Sequence, residues 1–253
     1  MTVLSPAQLE KYNSQGFLVC TEMLSVKTMD RVISEAKRLS GDEQLIKEAN
    51  LRCQYEQNQR GDVLLNALDP VVDLSEEIKA IASDPVIRGA LADLLGEPAC
   101  LLRDRLIFKP PTTGGYCLRQ DYIAWPDFPT TCTLVLIAAD LSIQENGCIE
   151  VFPGGHKMGY LSPRDGCEHR VDAAQLGGLQ GELIEMFPGD VLFFHCLLPH
   201  QSGPNLTQVQ RPHLYFSYNA LSDGGDQREH HYNRQMTRYF QDHPPSGPLK
   251  FFR

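Results

Sequence analysis

The sequence predicts a mainly β protein, a sandwich or barrel, with a helical layer in its N-terminal part. Three observations carry that prediction. Short segments rich in β-branched and aromatic residues crowd the chain after Gly96. Pro- and Gly-containing stretches such as "PPTTGG", "PGGHKMG", "FPGD" and "SGPN" separate them. Helical periodicity falls mostly before Gly96, without the strict alternation of strand and helix that a Rossmann-type sheet needs. The layout expected is one domain over residues 1–253. It has a helical part to about residue 96, a β core over about 97–221, and a C-terminal helix and tail over 222–253.

The elements follow in order. Ser5, Pro6 and Gln8 form a helix start: a hydroxyl cap, proline in the first turn, and a reciprocal capping residue. That helix ends near Gly16, and "FLVC" reads as a short strand. Residues 25–39 recover helical spacing, with Val26, Met29, Val32, Ile33 and Ala36 on one face. Asp84 before Pro85 opens another helix, carrying Val86, Ile87, Leu91, Leu94 and Leu95 and stopping at Gly96. Then come "LLRDRLIFK", "TCTLVLIAA", "CIEVF", "GELIEMF", "DVLFFHC" and "PHLYFSY", each strand-like. The polar stretch beginning "DQREHHYNRQM" reads as a helix with a solvated face, followed by a tail.

Composition narrows the function classes. A net charge of −9 argues against binding nucleic acid, which needs a cationic surface. Small molecules or proteins are the partners expected. The 8 cysteines include no CxxC pair and read as free core thiols, which suits a reducing compartment. No apolar leader and no run of membrane-span length is apparent, so the expected location is the cytoplasm. There is no GxGxxG, no P-loop and no repeat.

Chemistry-bearing residues gather in the strand-rich half. Asp121 follows the glycine-rich "TTGG" in "TGGYCLRQDYIAWPDFP". His200 lies in "GDVLFFHCLLPHQSGPN", read as the end of an apolar strand. Arg211 begins "RPHLYFSY", where an apolar hairpin would set it deeper in the same barrel.

These stretches, with "LSPAQLEKYNSQGFLV", "FKPPTTGGYCLRQDYIAW" and "ENGCIEVFPGGHKMG", resemble the phytanoyl-CoA dioxygenase family of Fe(II)- and 2-oxoglutarate-dependent oxygenases. The resemblance covers nearly the whole chain. It implies a double-stranded β-helix, a jelly-roll barrel flanked by helices. It also implies an iron held by a facial triad of two histidines and a carboxylate. Asp121 matches the carboxylate and His200 the distal histidine. Arg211 matches the arginine that grips the far carboxylate of 2-oxoglutarate through two parallel hydrogen bonds. Lys109 matches a lysine that some members turn toward the co-substrate. Tyr122 and Trp125 are candidates for the substrate pocket.

One position departs from the family. Arg119 stands where the first histidine ligand belongs, and a guanidinium offers no lone pair to a metal. With Asp121 two residues on, an Arg119–Asp121 contact is expected, with weakened iron binding. His195 and His156 are poor substitutes: His195 would face away from His200 along one strand, and His156 sits where the family itself has histidine. Two readings stay open. One is an oxygenase that attacks an unactivated C–H bond of a small organic substrate. The other is a catalytically silent homologue that binds a ligand or supports an active paralogous subunit. A second copy of the chain is another partner to expect.

Overall fold

Ser5 caps the first helix, α1 (Pro6–Gln15), through a reciprocal pair with Gln8. Gly16 ends it at φ 84°, where a side chain would also run into the His156 ring. The chain turns directly into β1 (Phe17–Cys20). Helix α2 (Val26–Ser40) is capped by Ser25 and buries Met29, Val32, Ala36 and Leu39. Val26 was expected on that face but is 62% exposed at the first position of the helix. Two further strands follow, β2 (Cys53–Gln57) and β3 (Val63–Leu68), in the part expected to be helical. Then come α3 (Glu76–Ala82) and α4 (Pro85–Leu95), capped by Ser75 and Asp84. Helix α4 buries Ile87, Ala90 and Leu91 and leaves Val86 exposed.

The β core comprises β4 (Ala99–Ile107), β5 (Thr133–Ala138), β6 (Ile149–Val151), β7 (Glu182–Ile184), β8 (Val191–His195), β9 (His200–Ser202) and β10 (His213–Ala220). Helix α5 (Arg228–Asp242) closes the described chain. The computed structural model describes residues 2–46, 50–122, 125–167 and 169–242. The expected tail beyond residue 242 lies outside them.

The strands form a jelly roll. A seven-stranded sheet runs β1-β8-β5-β10-β4-β3-β2, and a three-stranded sheet runs β7-β6-β9. All the strand pairs are antiparallel. Period-2 alternation splits the large sheet into two faces. Val135, Ile137, Val191, Phe193, Leu214 and Phe216 pack against the helices. Leu134, Leu136, Leu192, Phe194 and Tyr215 pack toward the small sheet, meeting Ile149, Val151 and Ile184. The same alternation sets His213, Tyr215 and Ser217 on the barrel interior, beside Arg105 and Leu136 in the neighbouring strands.

Several expectations need correction. His200 does not end the apolar strand: β8 stops at His195, a turn intervenes, and His200 opens β9. The "REHHY" face is not wholly solvated, since His231 is buried at 2% exposure. Cys117 is exposed and Cys100 and Cys167 are partly so, while all eight cysteines are free thiols. Among the described residues no helix is long and apolar enough to cross a membrane.

Candidate active site

The site begins with one β-bridge. Arg119 and His200 exchange two backbone hydrogen bonds, each of 3.0 Å, so Arg119 extends the small sheet beyond β9. Directly opposed residues of an antiparallel pair share a face. His200 also pairs with Val151, whose side chain is in the barrel core. Arg119 and His200 therefore both point inward, and Asp121, two residues on, does the same.

Asp121 is the hub. Its Oδ2 lies 3.6 Å from His200 Nε2, although the two residues are distant in sequence. The Tyr215 hydroxyl donates to Oδ2 at 2.6 Å. Arg105 reaches the same oxygen at 3.6 Å, and Arg119 Nε lies 2.9 Å from Oδ1. Burial alone would raise the Asp121 carboxyl; Arg119 foremost, then His200 and Arg105, hold it well below the usual carboxylate range. Arg105 in turn stacks over the Tyr215 ring, 4.5 Å from its centroid.

His200 is set up as a ligand. Its Nδ1 faces the Leu198 carbonyl at 2.9 Å, so Nδ1 carries a hydrogen and Nε2 is the atom turned toward Asp121. That Nε2 is buried and has no hydrogen-bond partner. One ion bonded at about 2 Å to each group would span the gap to Asp121. Two donors therefore fit iron, and a guanidinium occupies the place of the third. Among the described residues, Asp165, Cys167 and His169 form a group of three possible metal ligands, and Cys167 and His169 line a cavity that Asp121 also lines.

The two histidines judged poor substitutes stay outside. His195 shares the outer face of β8 with Val191 and Phe193, and its ring lies 5.4 Å from that of His156. His156 Nε2 is 3.3 Å from the Asn13 carbonyl. The strand is broken after His195, so the two-residue alternation invoked for it does not extend to His200.

Two cavities lie near Asp121. The first is lined by His200, Arg119, Arg211, Tyr116 and the apolar Ile107, Leu136 and Ile149, among others. Arg211, 7% exposed, donates to the carbonyls of Asn146 (3.2 Å) and Gly147 (3.1 Å) and to Ser142 Oγ (3.3 Å). Its Nη1 also lies 2.7 Å from His213 Nδ1. Burial pulls Arg211 down to about 10, still charged at neutral pH. Burial, and then Arg211, keep His213 well below the usual histidine range, hence neutral and able to accept. No carboxylate is among the described residues lining this cavity.

Lys109 sits behind that cavity and does not line it. Its ammonium donates to the Gly147 carbonyl (2.8 Å), Ser202 Oγ (2.7 Å) and the Gly203 carbonyl (2.7 Å). All three donors of the ammonium are thus engaged, which corrects the expectation that it contacts the co-substrate. Its backbone adopts φ 40°, a left-handed conformation that costs a non-glycine residue energy and collects at functional sites.

The second cavity is lined by Asp121 with Arg103, Arg105, Gln120, Tyr122, Cys167, His169 and Ser217, among others. Tyr122 lines that cavity, its hydroxyl donating to the Ser162 carbonyl at 2.7 Å. Trp125 does not. It lies in a surface depression against α5, with Arg234 4.8 Å and Arg238 5.3 Å from its ring. Sequence reasoning missed Tyr215, Arg105, His213 and Gly147. Residues 211, 213 and 215 share one parity, and that period-2 signal was available to find Tyr215 and His213.

Known proteins resemble this chain in sequence and in fold. The family model for phytanoyl-CoA dioxygenase matches residues 12–213. A methylphosphonate hydroxylase of Gimesia maris is 32% identical over 244 residues, 95% of this chain and 90% of that protein. A 2-aminoethylphosphonate dioxygenase from an uncultured bacterium is 30% identical over 166 residues, 65% of this chain and 62% of that protein. The epimerase SnoN, solved in complex with Fe3+, alpha-ketoglutarate and nogalamycin RO, superposes with a TM-score of 0.74 at 18% identity. That superposition covers 98% of this chain and 94% of SnoN.

Proposed function

Because the chain belongs to the phytanoyl-CoA dioxygenase family of non-haem iron, 2-oxoglutarate-dependent dioxygenases, we propose that it oxidises a C–H bond of a small oxyanionic molecule, a phosphonate foremost. The observation that carries this reading is a pair of arginine-bearing cavities, one lined by His200 and Arg211 and the other by Asp121 and Arg105. Arg211 would grip the far carboxylate of 2-oxoglutarate, with its guanidinium fixed by Ser142, Asn146 and Gly147. Arg105 would face the substrate oxyanion. Its Nε is buried without a hydrogen-bond partner, whereas Arg103 is committed to Asp69 at 2.6 Å. The names of the two phosphonate-oxidising relatives support the choice of substrate class. Asp121 and His200 would hold the iron, which supplies the oxidising power with 2-oxoglutarate and oxygen and releases succinate and carbon dioxide.

A second reading has one specific observation behind it. Arg119 Nε at 2.9 Å from Asp121 already neutralises the carboxylate that iron would use. A silent, ligand-binding homologue follows if that pair keeps iron out. Succinate release decides between the two. With 2-oxoglutarate, air and excess Fe(II), the oxygenase reading expects succinate, formed faster with methylphosphonate or 2-aminoethylphosphonate than without substrate. Arg105→Gln should remove the phosphonate stimulation. Succinate no higher than in an iron-free control, with every phosphonate tried, would leave the silent reading.

A further inference from the structure

We propose that Arg119 supplies, at the inner end of the first cavity, the positive charge that a metal would otherwise provide. A five-carbon dicarboxylate is then bound between Arg119 and Arg211 without any metal. This rests on the reading above that the cavity takes 2-oxoglutarate.

Three features support it. The cavity carries two guanidiniums, Arg119 and Arg211, and among its described lining residues no carboxylate. The same cavity is lined by the apolar Ile107, Leu136 and Ile149. A chain of methylenes with an anion at each end complements that pattern in charge and polarity. Lys109 adds a further positive charge behind the Gly147 carbonyl, which it shares with Arg211.

Arg119 is held where the proposal needs it. Its Nε meets Asp121 at 2.9 Å, and its guanidinium carbon lies 4.9 Å from the Tyr116 ring centroid. Arg211 is fixed at the other end by its contacts with Ser142, Asn146 and Gly147. Arg119 lines the cavity at the end where it meets Asp121, and Arg211 lines it beside His213.

A keto group is then unnecessary for affinity, since it serves only chelation. Where a histidine stands at this position, affinity for the near carboxylate must come from the metal. In this chain a fixed guanidinium does that work, and the orphaned His200 Nε2 is not needed for it.

Calorimetry on the full chain in excess EDTA tests the proposal, with 2-oxoglutarate, glutarate and 2-oxobutyrate as probes. Glutarate has both carboxylates but cannot chelate through a keto acid; 2-oxobutyrate has the keto acid but one carboxylate. The expected result is binding of 2-oxoglutarate and glutarate with similar affinity, and of 2-oxobutyrate about tenfold or more weakly. Arg119→Gln should weaken both diacids about tenfold or more, and Arg119→Lys should retain most of the affinity. Arg119→His should bind 2-oxoglutarate well only after Fe(II) is added under nitrogen. The proposal is overturned if the unmodified chain binds 2-oxoglutarate only with metal, or if Arg119→Gln binds diacids as the unmodified chain does. Should Arg119→Gln fail to fold, Arg119→Lys and the glutarate comparison decide alone. Metal-free diacid binding without succinate production would sink the oxygenase reading and leave this inference standing.

Discussion

Arg119 and Asp121 lie two residues apart on an extended segment, so their side chains share a face, and one unusual residue acts directly on the carboxylate hub. Lys109 gives a second residue-scale effect with a pH signature. Burial, and then Arg211, draw its ammonium down to about 7. A lysine value lowered on folding means that, between about 7 and its ordinary value of about 10.4, the unfolded chain binds a proton that the folded chain lacks. Lys109 therefore favours the folded state increasingly as pH rises through that window. Ligand binding runs the other way, because the positive charge behind the cavity is lost. The affinity for 2-oxoglutarate is expected to fall several-fold from about pH 6 to about pH 8.5, and Lys109→Met should flatten the profile. An unchanged slope in that variant would assign the titration to another group. At this scale the motif text made Asp121, His200 and Arg211 legible. Tyr215 could be reached only through its shared parity with Arg211, and Arg105 not at all, because it meets Asp121 only after strands far apart in sequence are laid side by side.

Short elements position these residues. The Gly147 carbonyl, at the entry to β6, accepts from both Lys109 and Arg211. Gly147 has φ 72°, and an added Cβ would run into the Gly203 carbonyl oxygen and sit 2.6 Å from Lys109 Nζ. Gly147→Ala is expected to destabilise the fold by about 1–3 kcal/mol and to weaken 2-oxoglutarate binding in parallel. Thermal unfolding and calorimetry check this; a variant with unaltered melting and affinity would show that the carbonyl is not what holds the two cations. The element scale also explains the sequence misreadings. Strand β9 is only three residues long, too short to carry its own periodic pattern, so His200 was attached to β8. Strand β2, "CQYEQ", lies at the sheet edge, is mostly polar and buries one residue fully, so its alternation is faint. Strands β5 and β8 read clearly because burial on both faces selects near-continuous apolar runs.

Across the whole molecule, the large sheet is a partition between a helix-facing core and a barrel-facing core. Phe193, wholly buried in the middle of β8, ties the sheet to the helical layer. Phe193→Ala is expected to cost about 3–5 kcal/mol in urea unfolding, since it leaves a cavity that a rigid sheet cannot close. A loss under about 1 kcal/mol would mean that the helices pack elsewhere. The charge distribution is also a property of the whole chain. A protein of net charge −9 concentrates Arg105, Arg119, Arg211 and Lys109 around one buried centre. The account's central claim is that Asp121 and His200 form an iron site weakened by Arg119. Anaerobic calorimetry with Fe(II) tests it most directly, comparing the unmodified chain with Arg119→His and with the double variant Arg119→His/His200→Ala. The account predicts weak binding by the unmodified chain, at least about tenfold tighter binding by Arg119→His, and loss of that gain in the double variant. Equal affinity of the unmodified chain and Arg119→His, or undiminished binding without His200, would contradict it.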